Sequence, residues 1–140
     1  MKIYPQLKSA EGIAALLSSE DFTQVYRLAD QIRRETVGDI VHLRAIIEFS
    51  NICKRQCVYC GLNRENKELG RFRMSREEIL EAAAEAVSAG YRTIVLQSGE
   101  DDYFTAGRLA DIIKSIKEME VPSEERTASP IHPAVTISCG

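Results

Sequence analysis

The sequence predicts an α/β fold with about three parallel strands preceded by N-terminal helices. That is the opening either of a TIM-type β/α barrel or of an open doubly wound sheet. Three observations carry the prediction. Apolar runs rich in branched residues recur at His42–Phe49, Tyr91–Gln97 and Ala134–Ser138. Segments of helical periodicity separate them. The resulting order of strand, helix, strand, helix, strand calls for right-handed crossovers, which leave the strands parallel. At 140 residues the chain has the length of one ordinary domain, read as a helical segment over 1–40 and an alternating core over 41–140. Complete barrels typically need about 250 residues, so the expectation is the N-terminal portion of a larger enzyme.

Each element has its own signal. Ser9–Leu17 reads as a short helix and Ser19–Thr36 as a longer one. In the latter, Phe22, Val25, Tyr26, Leu28, Ala29 and Ile32 fall at helical spacing and Gly38 supplies a stop. His42–Phe49 is the first strand. Ser75 opens the next helix with a capping box, because Glu78 stands three residues on. Ile79, Leu80, Ala83, Ala86 and Val87 form its apolar face, and Gly90 ends it. Tyr91–Gln97 is the second strand, continuously apolar at Ile94-Val95-Leu96, as a strand covered on both faces should be. Thr105–Met119 is a helix with Leu109, Ile112, Ile113 and Ile116 on one side, and Ala134–Ser138 starts the third strand. The polar, proline-punctuated segment Val121–Pro133 exceeds the usual helix-to-strand connection of about 2–6 residues and reads as a solvated surface loop.

Charged residues make up 28% of the chain, with a formal net charge of −3. Neither a nucleic-acid surface nor a membrane surface is indicated, and the longest apolar run is far too short for a membrane span. The N-terminus, Met1-Lys2-Ile3-Tyr4-Pro5, lacks the apolar core of a signal peptide. A reducing, cytoplasmic setting is therefore expected, where thiols more often serve metals or catalysis than cross-links.

Directly after the first strand, Cys53, Cys57 and Cys60 form a C-x-x-x-C-x-x-C array. Three thiolates from one loop can hold an iron–sulfur cube with one iron left open, whereas four-cysteine electron carriers close every iron and use other spacings. A zinc site remains an alternative, with Cys139, His42 or His132 as a distant fourth ligand, although zinc favours paired C-x-x-C units. A disulfide would leave one thiol of the loop over. Lys54, Arg55 and Arg64 either moderate the charge of a bound cluster or are ordinary solvated side chains.

The spacing, with Tyr59 just before the last cysteine, resembles the cluster motif of the radical S-adenosylmethionine (SAM) superfamily, where SAM chelates the open iron. Residues 46–62 are similar to the cluster segment of the HydE-type maturases of iron-only (FeFe) hydrogenases, which group with biotin synthase and methylornithine synthase. The similarity continues through Arg71-Phe72-Arg73-Met74-Ser75 and Thr93–Asp101, and Ala134–Ser138 fits the third strand. Cys60-Gly61-Leu62 and Gln97-Ser98-Gly99-Glu100 favour the maturase over its two relatives. Cys139 and the Val121–Pro133 segment depart from the pattern, and the later barrel units have no counterpart.

The resemblance implies a partial radical-SAM core in a TIM-type barrel. It implies a 4Fe–4S cluster on Cys53, Cys57 and Cys60, with SAM on the open iron. Ser98-Gly99-Glu100 corresponds to the Gly-Gly-Glu element that receives the methionyl ammonium, with Ser98 in place of the first glycine and set against the cofactor or substrate. The residue types suit that task, because Gly99 permits close backbone approach and exposed carbonyls with a carboxylate suit a cation. Without the cysteine loop, such a tripeptide would be read as a turn. Gly99 and Glu100 lie on a different strand end from the cysteines and are expected to act independently of them. Tyr59 is expected either to pack beside the cluster with its backbone near the adenine or to serve simple packing. Thr136 and Ser138 alternate with Val135 and Ile137, so both hydroxyls share one strand face. Their partners are SAM, a small substrate or internal hydrogen bonds.

Two functions follow. One is a radical-SAM enzyme that cleaves SAM reductively to a 5′-deoxyadenosyl radical for hydrogenase maturation. It would use a small-molecule substrate, an electron donor such as ferredoxin or flavodoxin, and other maturation proteins as partners. The other is a catalytically inactive truncated fragment or a metal-binding module.

Overall fold

The computed structural model describes residues 7–122 and 130–139, which divide between two compact units, one up to His42 and the other from Leu43 on. The first unit holds α1 (Ala10–Leu17) and α2 (Thr23–Val37). The Ser9 side chain caps α1 by accepting from the Gly12 N–H at 3.0 Å. α2 begins later than its periodicity suggests. The Ser19 hydroxyl donates to the Asp21 carbonyl and Asp21 Oδ1 accepts from the Thr23 N–H, local bonds that compete with helix before Thr23. Gly38, at φ 76°, ends the helix.

The second unit alternates β1 (Ala45–Ser50), α3 (Arg76–Ser88), β2 (Thr93–Ser98), α4 (Ala106–Lys117) and β3 (Ala134–Cys139). The strands form one sheet in the order β1-β2-β3, and both pairings are parallel. Residues 42–44, read as the start of the first strand, precede the sheet because its pairing begins at Ala45 opposite Ile94. Tyr91 likewise belongs to the preceding turn, its N–H donating to the Ala86 carbonyl. Gly90, at φ 90°, makes that turn. The α3 capping box is complete: the Ser75 N–H donates to Glu78 Oε2 at 2.7 Å and the Glu78 N–H to Ser75 Oγ at 3.2 Å.

Register decides which face each side chain takes. Ile47 stands opposite Leu96 and Leu96 opposite Ile137 on the helix side, whereas Glu48, Gln97 and Ser138 line up across the other face. Ile47, Phe49, Ile94 and Leu96 pack with Ile79, Ala83 and Val87 of α3 and Ile112 and Ile116 of α4. Burying each large aliphatic of this set is worth about 1.5–3 kcal/mol. Phe49 meets the Phe104 ring edge-on at 4.6 Å between centroids. Beyond α4, the Val121 N–H donates to the Ile131 carbonyl at 2.8 Å in an antiparallel bridge. Val121 is buried in the core, so the long connection is anchored at its stem. Residues 123–129 of that connection lie outside the described residues.

Candidate functional site

Three segments meet where β1 and β2 end. The β1–β2 register shifts between Glu48 and Ser50, and the strand then runs into Asn51 and the cysteine loop. The second segment is 70–74, which returns from that loop to α3. The third is the turn Gly99–Asp102 after β2. Ser50 ties all three together. Its carbonyl accepts from the Gly99 N–H at 3.1 Å. Its buried hydroxyl donates to Asp101 Oδ2 at 2.8 Å and accepts from the Ile52 N–H at 3.2 Å. Asn51 docks the returning segment from both sides, with Nδ2 donating to the Gly70 carbonyl and Oδ1 accepting from the Phe72 N–H.

Cys53, Cys57 and Cys60 are free and half-buried, all within this one loop. The Cys60 N–H donates to the Cys57 carbonyl, and Asn63 Nδ2 donates to the Cys60 carbonyl at 2.8 Å, so the second half of the array is internally braced. Among the described residues no group of three or more His, Cys, Asp or Glu side chains converges on a point that would hold a metal ion. A cube held by three sulfurs asks something different, because each thiolate takes its own iron and the ligands stand apart. Three free thiols in one short loop are the donor set such a cluster uses, so the residues fit the group.

The second predicted segment lies directly against the first. A Cβ placed on Gly99 would stand 2.5 Å from the Ile52 carbonyl oxygen and 2.7 Å from Cys53 Cβ. Only a residue without a side chain permits that approach, and what approaches is the cysteine loop itself. The Lys54 N–H donates to the Glu100 carbonyl at 3.1 Å, and Arg55 Nε meets Glu100 Oε1 at 2.6 Å. Lys54 Nζ pairs with Asp102. Backbone contacts and an ion pair thus join the two turns, although they leave different strand ends. Lys54, Arg55 and Arg64 are each paired with a carboxylate, Arg64 with Glu65.

The remaining predicted residues are placed around this junction. Ser98 donates its hydroxyl to the Gly99 carbonyl at 2.8 Å. Together with Lys54, Glu100, Phe104, Thr105 and Cys139, Ser98 lines a cavity of about 350 Å³. Tyr59 stands 89% exposed in the loop, where charge on Cys57, and then a hydrogen bond to it, raises its phenol above the ordinary value. Thr136 and Ser138 are exposed and sit beside Val95 and Gln97 on the face away from the helices. They share a strand face as expected. Cys139 faces the helix side, where burial raises its thiol above the ordinary value. His132 Nδ1 lies 2.9 Å from the Met119 carbonyl, far along the chain from the cysteine loop.

Several residues that hold the site together carry no local signal in the sequence. Asp101, its side chain only 3% exposed, takes Arg73 in a two-point ion pair at 2.7 Å. Hydrogen bonding from Arg73 is the main reason its carboxyl falls to about 2, against a burial effect in the other direction. Arg73 lies over the Tyr103 ring at 4.5 Å, and Arg108 lies over the same ring at 4.0 Å. Arg71 donates only to main-chain carbonyls around the cysteine loop. The remaining additions, Glu48 and Gln97, follow from register: with Ser50, Asn51 and Ser98 they line a second cavity of about 70 Å³ at the strand ends.

The fold is a parallel β-α-β-α-β array with three free thiols directly after its first strand, and the Radical SAM superfamily matches residues 47–138. The chain belongs to the radical SAM superfamily. Within it the chain is closely related to the hydrogenase maturases and to methylornithine synthase. It is 53% identical over 116 residues to the [FeFe] hydrogenase maturase subunit HydE of Thermotoga maritima, a match covering 83% of this chain and 30% of that protein. It is 35% identical over 114 residues to the 3-methylornithine synthase of Methanosarcina acetivorans, covering 79% and 32%. Among solved structures, methylornithine synthase (PylB) superposes with a TM-score of 0.66 at 31% identity, over 79% of this chain and 34% of that one. The chain thus spans about a third of the length of the curated relatives it matches. Family membership implies use of SAM and an iron–sulfur cluster. No helix among the described residues is long and apolar enough to cross a membrane.

Proposed function

We propose that this chain supplies the cluster- and SAM-binding part of a radical-SAM enzyme acting in FeFe-hydrogenase maturation. Cys53, Cys57 and Cys60 would hold a 4Fe–4S cluster, with SAM bound beside it. Reductive cleavage of SAM to methionine and a 5′-deoxyadenosyl radical is the chemistry this pair supplies when bound. The chain's own residues bind and orient. Gly99 keeps the β2 turn against Cys53, and Glu100, paired with Arg55, would supply a carboxylate for the methionyl ammonium. Ser98, Tyr59, Thr136 and Ser138 complete the cradle for SAM and a small organic substrate. The partners are an electron donor such as ferredoxin or flavodoxin and other maturation proteins, in the cytoplasm. The single observation that carries the reading is the contact of the Gly99–Glu100 turn with the three-thiol loop.

A second reading is a metal-binding module, or a catalytically inactive partial core, that holds a cluster without cleaving SAM. The observation that favours it is coverage, because the relatives that carry the activity in their names are matched over only about a third of their length. Anaerobic reconstitution followed by reduction with SAM present separates the two. Formation of 5′-deoxyadenosine in step with loss of SAM supports the enzyme. A complete cluster with intact SAM supports the module.

A further inference from the structure

The cysteine loop leaves the sheet at Asn51 and returns through residues 62–72, and one side chain spans both ends of it. Arg71 Nη1 donates to the Asn51 carbonyl at 2.6 Å and to the Leu62 carbonyl at 2.9 Å. Nη2 donates to the Asn63 carbonyl at 2.7 Å and to the Asn66 carbonyl at 3.3 Å. The first acceptor stands two residues before Cys53, and the others follow Cys60 by two to six residues. Asn51 answers through its side-chain bonds to residues 70 and 72, so the clasp is reciprocal.

We propose that Arg71 is the positioning residue of the cysteine loop, closing its two ends so that Cys53 and Cys60 are held ready for one cluster. This rests on the cluster reading given above. The chemistry suits arginine alone. A planar guanidinium presents its donors in a fixed fork, while a lysine ammonium is a point charge with three donors. A lysine at 71 keeps the charge but has three donors on one nitrogen, too few for the four bonds that Arg71 makes from two. Glutamine loses the charge as well. Groups that fix metal ligands from behind typically change metal retention by about 10–100-fold when replaced.

The test uses the whole chain with Arg71→Lys and Arg71→Gln, and Arg76→Gln as the control for losing an arginine elsewhere. Amide hydrogen exchange on the cluster-free proteins is read first. The expected result is lost protection at Lys54, Cys60, Asn63 and Arg64, whose N–H groups bond across or within this loop region, with β2 and α4 unchanged. After anaerobic reconstitution, both Arg71 variants should release iron to a chelator about 10–100-fold faster than wild type, with an altered spin-resonance line shape on reduction. The control should match wild type in each measurement. Wild-type retention and line shape in both variants would overturn the inference, as would protection lost evenly along the chain. A wild-type chain that assembles no cluster would overturn the cluster reading and this inference with it, whereas unaffected variants beside a loaded wild type would sink the Arg71 role alone.

Discussion

Asp101 is the residue on which the site's rigidity turns, because its nearly buried carboxylate joins the β1 end through Ser50 and the return segment through Arg73. Its carboxyl is lowered from 3.8 to about 2. A depressed carboxyl contributes stability that is fully present above its unfolded value and is lost as pH falls through the folded one. Acid should therefore cost the cluster-free chain on the order of 2 kcal/mol between about pH 4 and pH 2 through this group alone. Asp101→Asn should abolish that part of the loss, as read from urea midpoints across the window. An unchanged pH slope in the variant would contradict the assignment. Gly99 makes the second residue-level case. Alanine there must displace the Ile52 carbonyl or Cys53, a strain of about 1–3 kcal/mol. Gly99→Ala is expected to lower both the urea midpoint and the cluster content after reconstitution. A variant loaded like wild type would show that the close contact places no demand on Cys53.

At the scale of elements, the α3 capping box makes a separable contribution far from the thiols. Ser75→Ala should cost about 1 kcal/mol in urea unfolding and leave cluster content untouched, and a loss of cluster would mean that α3 sets the loop. Elements of this kind were legible in the sequence because their signals are local. Ser75 with Glu78, Gly90 after α3 and the Ile94-Val95-Leu96 run each lie within a few residues of what they specify. Strand starts were less legible, since Ala45 begins β1 only because Ile94 begins its pairing. The candidate site divides the same way. The cysteine spacing could be read directly, and the Ser98–Glu100 turn gained meaning only beside it. Ser50, Asn51, Arg71, Arg73 and Asp101 could not, because each makes a bond that crosses 19–51 residues of chain and no periodicity encodes it. The contact of Gly99 with Cys53 was hidden for the same reason, since it depends on two strand ends being neighbours.

At the scale of the whole molecule, the second unit sets α3 and α4 on one face of its sheet and brings the cysteine loop and the β2 turn together at the strand ends, as parallel β/α arrays generally do. The helix side holds the apolar core. The opposite face carries Glu48, Gln97 and Ser138 in one row, and Glu48 and Gln97 share a cavity with Asn51 and Leu62. The cysteine loop is built onto these strand ends, and the central claim is that its three thiols hold one 4Fe–4S cluster. The most direct measurement is iron and sulfide per chain after anaerobic reconstitution, in wild type and in a triple variant with Cys53, Cys57 and Cys60 replaced by alanine. Wild type should approach about four irons and four sulfides per chain with the broad visible absorption of a thiolate-bound cluster, and the triple variant should bind almost none. The same iron, sulfide and absorption in the triple variant would contradict the claim.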